Sequence, residues 1–193
     1  MGYSQAQKAE SRQRVLETAS RQIREHGIEA LGVADCMRSA GLTHGAFYGH
    51  FSSRDALILE ALEHAVIQGE KRIASLVTGA EKQGETPLQS IAESFLSERH
   101  VKNPGNGCAL CALAGEARHA NPDVREQLTQ YVRKLASRIA QAASSDSETP
   151  ALGIVATIVG AITLARGVDD DKLAKSILSE SLALVMSQDG GAQ

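Results

Sequence analysis

Residues 32–51 read GVADCMRSAGLTHGAFYGHF, two short helical patterns around a central glycine. The spacing of apolar residues predicts helices over 33–40 and 44–50, with the tight turn at Gly41. Glycine suits this turn because it adopts a positive φ without a clash at Cβ. Thr43 stands where a hydroxyl can cap the first turn of the second helix. The layout is that of a helix-turn-helix.

The apolar residues of this segment fall on one side of both helices. One group is predicted to face the preceding helix and the other to close a small core. The first group is Val33, Cys36, Met37 and Ala40, and the second is Leu42, Ala46, Phe47 and Phe51. The opposite side of the second helix is therefore free to contact a partner.

A family resemblance is carried by residues 41–51 (GLTHGAFYGHF) and by 52–57 (SSRDAL), with a first helix ending at His26-Gly27. Together they resemble the TetR family of bacterial transcriptional repressors over about the first 60 residues. The match is more specific than a generic helix-turn-helix.

The resemblance implies a recognition helix whose side chains reach phosphates or base edges of duplex DNA. The residues expected on that helix are Thr43, His44, Gly45, Tyr48 and His50. Arg54, at the start of the following helix, is expected on the DNA backbone. The alternatives are that Phe47 and Tyr48 are both core aromatics, that His50 is structural, and that Arg54 is a solvated surface charge.

Two positions depart from the pattern of the family. His44 stands where many relatives have lysine, so phosphate affinity here is expected to depend on pH. Gly32 stands where relatives usually have a Ser or Thr cap, which costs the supporting helix about a few tenths of a kcal/mol.

The rest of the chain is predicted to be helical as well, because no segment shows the alternation and turn signals of strands. About nine helices are expected in an all-α fold, with a polar linker over 144–149. Among them, apolar spacing predicts a helix of about 25 residues that begins near Ser53 and helices over 88–99 and 108–119. Residues 1–53 would form a three-helix DNA-binding domain. Residues 54–193 would form a helical bundle for effector binding and dimerisation.

Composition and charge exclude several classes of function. The 193 residues are 42% hydrophobic with a formal net charge of −3, which fits neither an extreme polyanion nor a histone-like polycation. Residues 1–54 carry seven Lys/Arg and five Asp/Glu against 13 and 18 in the remainder, so any binding to nucleic acid must be local. With 3% aromatic residues and no Trp, the chain has few rings on which the bases of single-stranded nucleic acid could stack. Duplex DNA is therefore favoured as the nucleic-acid partner.

The sequence also predicts a cytoplasmic protein. The N-terminal residues contain no apolar core of a signal peptide, and three cysteines do not indicate a disulfide framework. The uncharged apolar stretch 151–165 has 15 residues, whereas a membrane-spanning helix needs about 20 apolar ones. We therefore expect a buried helix there and no membrane association.

The resemblance implies that the last two helices pair with their copies in a homodimer. Their apolar residues are expected to be too exposed in a monomer, and an internal core helix is the alternative for 151–165. The residues in question are Ile154, Ile158, Ile162, Ile177 and Val185. An unknown small-molecule effector is expected against apolar and aromatic residues near the centre of the bundle. These are Phe95, Leu110, Leu113, Tyr131 and Leu135.

Cys108-Ala-Leu-Cys111 follows the glycine-rich turn 103–107 and allows three interpretations. A thiol in the first turn of a helix has a lowered pKa and could sense oxidants or electrophiles. A metal site with His100 and His119 is a second alternative. The third is that both are small apolar side chains at a close helix contact. The sequence predicts no resident metal and no cofactor.

The function predicted from these observations is a ligand-responsive, dimeric DNA-binding regulator. It is expected to be a repressor released from a palindromic operator by a small molecule or by thiol oxidation. A thiol-dependent enzyme lacks support, because no βαβ pattern, phosphate loop or paired carboxylates accompany the cysteines. A helical adaptor without DNA binding is the remaining alternative.

Overall fold

The computed structural model describes residues 5–143 and 148–188, in which helices are joined by short turns and loops and no strand occurs. The predicted linker 144–149 lies partly outside this range, and its last two residues begin a helix. The α-helices are α1 (Gln5–His26), α2 (Val33–Ser39), α3 (Arg54–Gln83), α4 (Pro87–Phe95), α5 (Glu98–Lys102), α6 (Ala109–Leu113), α7 (Pro122–Ala142), α8 (Glu148–Gly167) and α9 (Asp171–Met186). The recognition helix His44–Gly49 and the turn Pro104–Asn106 are 3₁₀ helices.

The helix-turn-helix is confirmed. Gly41 adopts φ +76°, a conformation that L side chains rarely adopt, and Gly32 precedes α2 without a side-chain cap. Cys36, Met37 and Phe47 are buried as predicted. The small core that they form holds the recognition helix against α1 and α2.

The recognition helix differs in detail from the prediction. Its hydrogen bonds run over three residues, as from the Ala46 amide to the Thr43 carbonyl at 3.1 Å. The predicted cap is wrong, because the Thr43 hydroxyl makes no capping bond. Two glycines in six residues weaken a regular α-helix, and short 3₁₀ turns are common in such segments.

Several helices of the bundle begin or end at other residues than the apolar periodicity predicts. The predicted helix 88–99 is two helices, because Ser97 interrupts it and its hydroxyl accepts a hydrogen bond from the His100 amide at 3.2 Å. The predicted helix 108–119 shortens to α6, and turns follow it. Helix α3 is 30 residues long where the sequence predicted about 25.

Helix α1 packs against both halves of the molecule. Its main neighbour is α3, and the turn Pro104–Asn106 and α6 also lie against it. The Ile28 amide, just after α1, donates to the Glu116 carboxylate at 2.9 Å. The N-terminal unit is therefore bonded to the segment around α6 as well as to α3.

Helix α8 lies at the centre of the bundle, between α7 and α9. Its Arg166 side chain donates to the carbonyls of Val101, Cys111 and His100 at 3.3, 3.1 and 2.8 Å. One guanidinium thus satisfies backbone acceptors at the ends of both α5 and α6.

The expectation about exposed residues on α8 and α9 is wrong for most of the positions chosen. Ile154, Ile158, Ile162 and Val185 are buried within one chain, and Ile177 is half-buried. Other apolar residues, on the outward face of the two helices, are exposed instead. The exposed ones are Leu152, Leu164, Leu173 and Leu184.

One described helix, Pro150–Gly167, is long and apolar enough to cross a membrane by length and composition. The core helix of a globular domain passes the same test. Four of its apolar residues pack inward against the bundle, which accounts for this composition. These are Ile154, Val155, Ile158 and Ile162.

Candidate DNA-binding surface and interhelical cavity

The recognition helix presents a continuous exposed surface. Thr43, His44 and Gly45 are exposed, and the Tyr48 side chain is 74% exposed. The buried Phe47 ring supports Tyr48 edge-on, with 5.2 Å between the ring centroids. Four of the predicted contact residues therefore lie together on one outward face, and the alternative that Tyr48 is a core aromatic is wrong.

His50 lies at the edge of this surface and is half-buried. Burial lowers its pKa, and the positive charges of Lys8 and Arg12 lower it further. The Arg12 guanidinium stacks over the Phe51 ring, 4.8 Å from its centroid. Lys8 of α1 thus adds positive charge beside the recognition helix, whereas Arg12 is paired with the Glu60 carboxylate.

Arg54 has a structural role that sequence reasoning did not foresee. Its guanidinium donates to the carbonyls of Leu31, Ile28 and Glu29 at 3.0, 2.8 and 3.1 Å. These bonds tie the start of α3 to the loop between α1 and α2. Arg54 is therefore not a solvated surface charge, and its contact with a DNA phosphate stays a prediction.

A cavity of about 210 Å³ lies where α1, α3, α4 and α7 meet. Five elements or connections supply its walls, among them Arg24, Gly69, Arg72, Phe95, Cys108 and Tyr131. Of the predicted effector residues, Phe95 and Tyr131 line it. Leu110, Leu113 and Leu135 are buried in the apolar core and are not among its walls.

Two arginines were missed as residues of this cavity. Arg24, on α1, is only 6% exposed and donates to the carbonyls of Ser20 and Gly107 and to the Gln68 side chain. Arg72, on α3, donates to the Asn106 carbonyl at 3.3 Å and to the Ser94 hydroxyl at 2.9 Å. Burial lowers the pKa of both guanidinium groups, which nonetheless remain cations at neutral pH.

The two cysteines are both buried free thiols, and Cys108 lines the cavity whereas Cys111 lies behind its wall. Hydrogen bonding from Cys111 lowers the pKa of Cys108, whose sulfur lies 3.5 Å from the Tyr131 hydroxyl. The same hydrogen bond, together with burial, raises the pKa of Cys111. Burial also raises the pKa of Tyr131. The helix dipole invoked from the sequence is minor, because α6 has only five residues.

His100 holds the connection to α6 in place. Its Nδ1 lies 2.8 Å from the Phe95 carbonyl, and its Nε2 accepts a hydrogen bond from the Cys108 amide at 3.0 Å. The ring is therefore neutral with the proton on Nδ1, and burial lowers its pKa to about 4. Gly107 permits this approach, since a Cβ there would lie 2.6 Å from Nε2.

The geometry does not favour the alternative of a metal site. No three His, Cys, Asp or Glu side chains gather to hold a metal within 5–143 and 148–188. His100 uses both ring nitrogens in contacts within the protein, and the exposed His119 accepts a hydrogen bond from Arg118.

The most specific similarity to known proteins lies in the N-terminal helices. The sequence model of the family described as "Bacterial regulatory proteins, tetR family" matches residues 15–61. This range runs from the middle of α1 through the recognition helix into α3.

Curated relatives and solved structures extend the likeness over the bundle. The HTH-type transcriptional repressor NemR of Escherichia coli is 20% identical over 143 residues, 74% of this chain and 72% of the relative. The regulator EthR of Mycobacterium tuberculosis is 24% identical over 125 residues, 62% of this chain and 54% of EthR. A TetR transcriptional regulator from Chloroflexus aurantiacus superposes with a TM-score of 0.77 at 23% identity, covering 94% of this chain and 95% of that one. The crystal structure of reduced E. coli NemR gives 0.76 at 20% identity, with 92% and 96% covered.

The buried neutral His100 should make the fold sensitive to acid. Its pKa is about 4 in the folded chain against 6.5 for an ordinary imidazole, so the unfolded chain binds the proton more readily. Stability from this group is present above pH 6.5 and is lost as the pH falls towards 4. The free energy of unfolding should fall by on the order of 3 kcal/mol over this range. Urea unfolding at fixed protein concentration between pH 7 and 4 measures it.

Two glutamine variants separate this contribution from the other titrating groups. His100→Gln keeps a donor for the Phe95 carbonyl and an acceptor for the Cys108 amide but cannot titrate. It should lack the acid-dependent loss, whereas the exposed His119→Gln should show it in full. Equal acid sensitivity in His100→Gln and the unmodified chain would show that His100 is not its source.

Proposed function

Because the chain belongs to the TetR family of bacterial regulatory proteins, we propose that it is a repressor released from a palindromic operator by a small-molecule effector. The observation that carries this proposal is the exposed face of the recognition helix, which the buried Phe47 anchors to the core. Residues 1–53 bind DNA in this proposal, and residues 54–193 bind the effector and form the dimer.

The surface around the recognition helix fits duplex DNA. Exposed hydroxyl and imidazole groups of Thr43, His44 and Tyr48 can reach phosphates or base edges in a major groove. Gly45 allows a close approach, and His50 and Arg54 would add phosphate contacts at the edge. Lys8 supplies positive charge on the same side. The affinity should therefore fall steeply with salt.

Dimerisation through α8 and α9 is supported by the apolar residues that one chain leaves exposed. Leu164 and Leu184 are 59% and 56% exposed, and no charged residue lies between 151 and 165. Gly153, Ala156 and Gly160 on α8 are small enough to let a second helix approach closely. A two-fold pair would place two recognition helices for half-sites about one DNA turn, roughly 34 Å, or a multiple apart.

The segment from 104 to 116 offers a route from the bundle to the DNA-binding half. It begins at the cavity, contains α6, and ends at the Glu116 carboxylate that bonds the Ile28 amide. An effector that favours one position of this segment would shift α1 and the spacing of the recognition helices. It would lower operator affinity only by its preference for the non-binding arrangement.

The proposal assigns binding, not catalysis, to the chain and places it in the cytoplasm. Its relatives are regulators by name. The apolar character of α8 is explained by its buried inner face and by the proposed dimer, without a membrane.

Thiol oxidation is a second candidate signal, favoured by the position of Cys108 on the cavity wall and the lowered pKa of its thiol. The Cys108 thiolate would attack hydrogen peroxide, forming an S–O bond while the O–O bond breaks and hydroxide leaves. The Cys111 thiol would then displace the oxygen of the sulfenic acid as water. The sum is one peroxide reduced to two waters and two thiols oxidised to a disulfide.

Operator binding tests the proposal directly. Selection from a random duplex library should enrich a palindrome, and on that site Tyr48→Ala should weaken binding about tenfold, the size of one good contact. Because Tyr48 is exposed, the variant should unfold at an unchanged temperature. Tyr48→Phe separates the hydroxyl from the ring. Failure to enrich any sequence would contradict the proposal, and an unchanged affinity of Tyr48→Ala would remove Tyr48 from the contact.

Analytical ultracentrifugation tests the dimer. Leu164→Glu and Leu184→Glu would bury a carboxylate in the proposed interface, so both should shift the chain to monomer and weaken operator binding. Ile67→Glu is the matched control, since Ile67 is 47% exposed on α3, away from α8 and α9. If the two leucine variants stay dimeric, the interface lies elsewhere.

The redox route is tested by treating the DNA-bound protein with peroxide. The unmodified chain should lose operator affinity and form a Cys108–Cys111 disulfide visible by mass spectrometry. Cys108→Ser should keep DNA binding and lose the response, whereas Cys36→Ser should keep both, because burial raises the pKa of Cys36 to about 11. An unmodified protein whose DNA binding ignores peroxide would exclude this route.

A further inference from the structure

We propose that the cavity between α1, α3 and α7 binds a small organic carboxylate between the guanidinium groups of Arg24 and Arg72. The regulatory consequence of this binding rests on the proposed function, whereas the binding itself does not. A monocarboxylate with a small aromatic or short aliphatic body is the ligand class.

Neither arginine forms an ion pair with a carboxylate. Among the described residues, the ion pairs of the protein do not include Arg24 or Arg72. The acceptors of Arg24 are two backbone carbonyls and the Gln68 amide oxygen, all neutral. Burying a guanidinium without an opposite charge is costly. A ligand anion at this position would remove part of that cost.

Hydrogen-bonding capacity is also left over. A guanidinium has five N–H groups. Arg24 uses three of them and Arg72 uses two on the acceptors described above. The remaining donors, two on Arg24 and three on Arg72, have no acceptor in the described part of the chain. A carboxylate with two oxygens can accept from both side chains at once.

Two acids lie near the cavity, and Glu25 is close enough to raise the pKa of Arg24. Glu70 pairs with Arg138 at 3.2 Å, and Glu25 lies 3.8 Å from the His26 ring. Neither is part of the cavity wall. Arg99 adds a further positive charge, close enough to lower the pKa of Arg72. Cys108 and Tyr131 are the only described wall residues that could ionise to an anion. The raised pKa of Tyr131 keeps it neutral, so a thiolate at Cys108 is the one wall anion that faces the two guanidinium groups.

Size and shape limit the rest of the ligand. The volume of about 210 Å³ is below the range of roughly 300–1,000 Å³ found for drug-sized ligands. Phe95 and Tyr131 supply aromatic surface, and the Arg72 guanidinium lies 5.8 Å from the centroid of the Phe95 ring. A compact acid with one apolar ring or a short chain matches this combination of charge and aromatic wall.

The two arginines stand on opposite sides of the proposed regulatory contact. Arg24 belongs to α1 of the DNA-binding half, and Arg72 belongs to α3 of the bundle. Arg24 also bonds the Gly107 carbonyl, at the entry to α6. A carboxylate shared by both side chains would fix the distance between α1 and the bundle. Because α1 packs against the helix-turn-helix, the ligand would thereby affect the position of the recognition helix.

Isothermal titration of the DNA-free protein with acetate, propionate, benzoate and phenylacetate tests the site. At least one acid should bind, with benzoate at least tenfold tighter than its neutral isostere benzamide if benzoate is the fit. Arg72→Gln should lower the affinity for the bound acid by about ten- to a hundredfold, the loss expected for hydrogen bonds to a charged group. Arg99→Gln removes the same charge from an exposed neighbour and should change affinity less than threefold, roughly the size of a screened surface interaction.

Two further measurements keep the outcomes distinct. Arg24→Gln should also lose the acid, and its unfolding temperature shows whether the variant still folds. Bound acid should slow alkylation of Cys108 by N-ethylmaleimide, which places it in this cavity. If none of the four acids binds at millimolar concentration, or if Arg72→Gln binds as the unmodified protein does, the inference is wrong. Operator affinity is measured separately: an acid that binds here but leaves DNA binding unchanged supports the site and contradicts the effector route of the proposed function.

Discussion

The packing of α1 against two units at once is the constraint on which the rest of the structure depends. Along its length, Val15 and Ile23 are fully buried, and Arg24 reaches the Gly107 carbonyl near α6. Because protein interiors are close-packed, α1 cannot shift against α3 without moving the turn Pro104–Asn106 that lies on it. The position of the recognition helix is therefore set by the bundle as well as by its own small core.

The recognition helix has one buried side chain, and this leaves most of its surface exposed. Phe47 is its buried anchor, while Tyr48 and the residues before it remain exposed. Arg54 holds the neighbouring loop in place by donating hydrogen bonds to three of its backbone carbonyls. Rigid backing and a nearly free outer face let the exposed side chains change with the DNA sequence to be read, at small cost to the fold.

The sequence predicted the helix-turn-helix because its determinants are local: a turn glycine at Gly41 and apolar residues at helical spacing. The cavity depends on residues far apart in the chain, so its wall was predicted poorly. Leu110 and Leu135 were chosen because they are apolar, and for the same reason they pack into the core. Arg24 carried a usable signal, since it lies on the buried stripe of α1 with Ser20 and Ile23, where an arginine needs an explanation.

Placing a thiol and two arginines in one cavity gives the two proposed signals a common physical basis. A carboxylate bound between Arg24 and Arg72 would bring negative charge beside Cys108, and a nearby like charge disfavours ionisation of the thiol. The bound acid would thus raise the pKa of Cys108 and reduce the thiolate available to an oxidant. By reciprocal linkage, a thiolate at Cys108 would weaken binding of the acid by the same factor. The small-molecule and redox inputs would therefore oppose one another at this cavity, each acting on the same contact between α1 and the bundle.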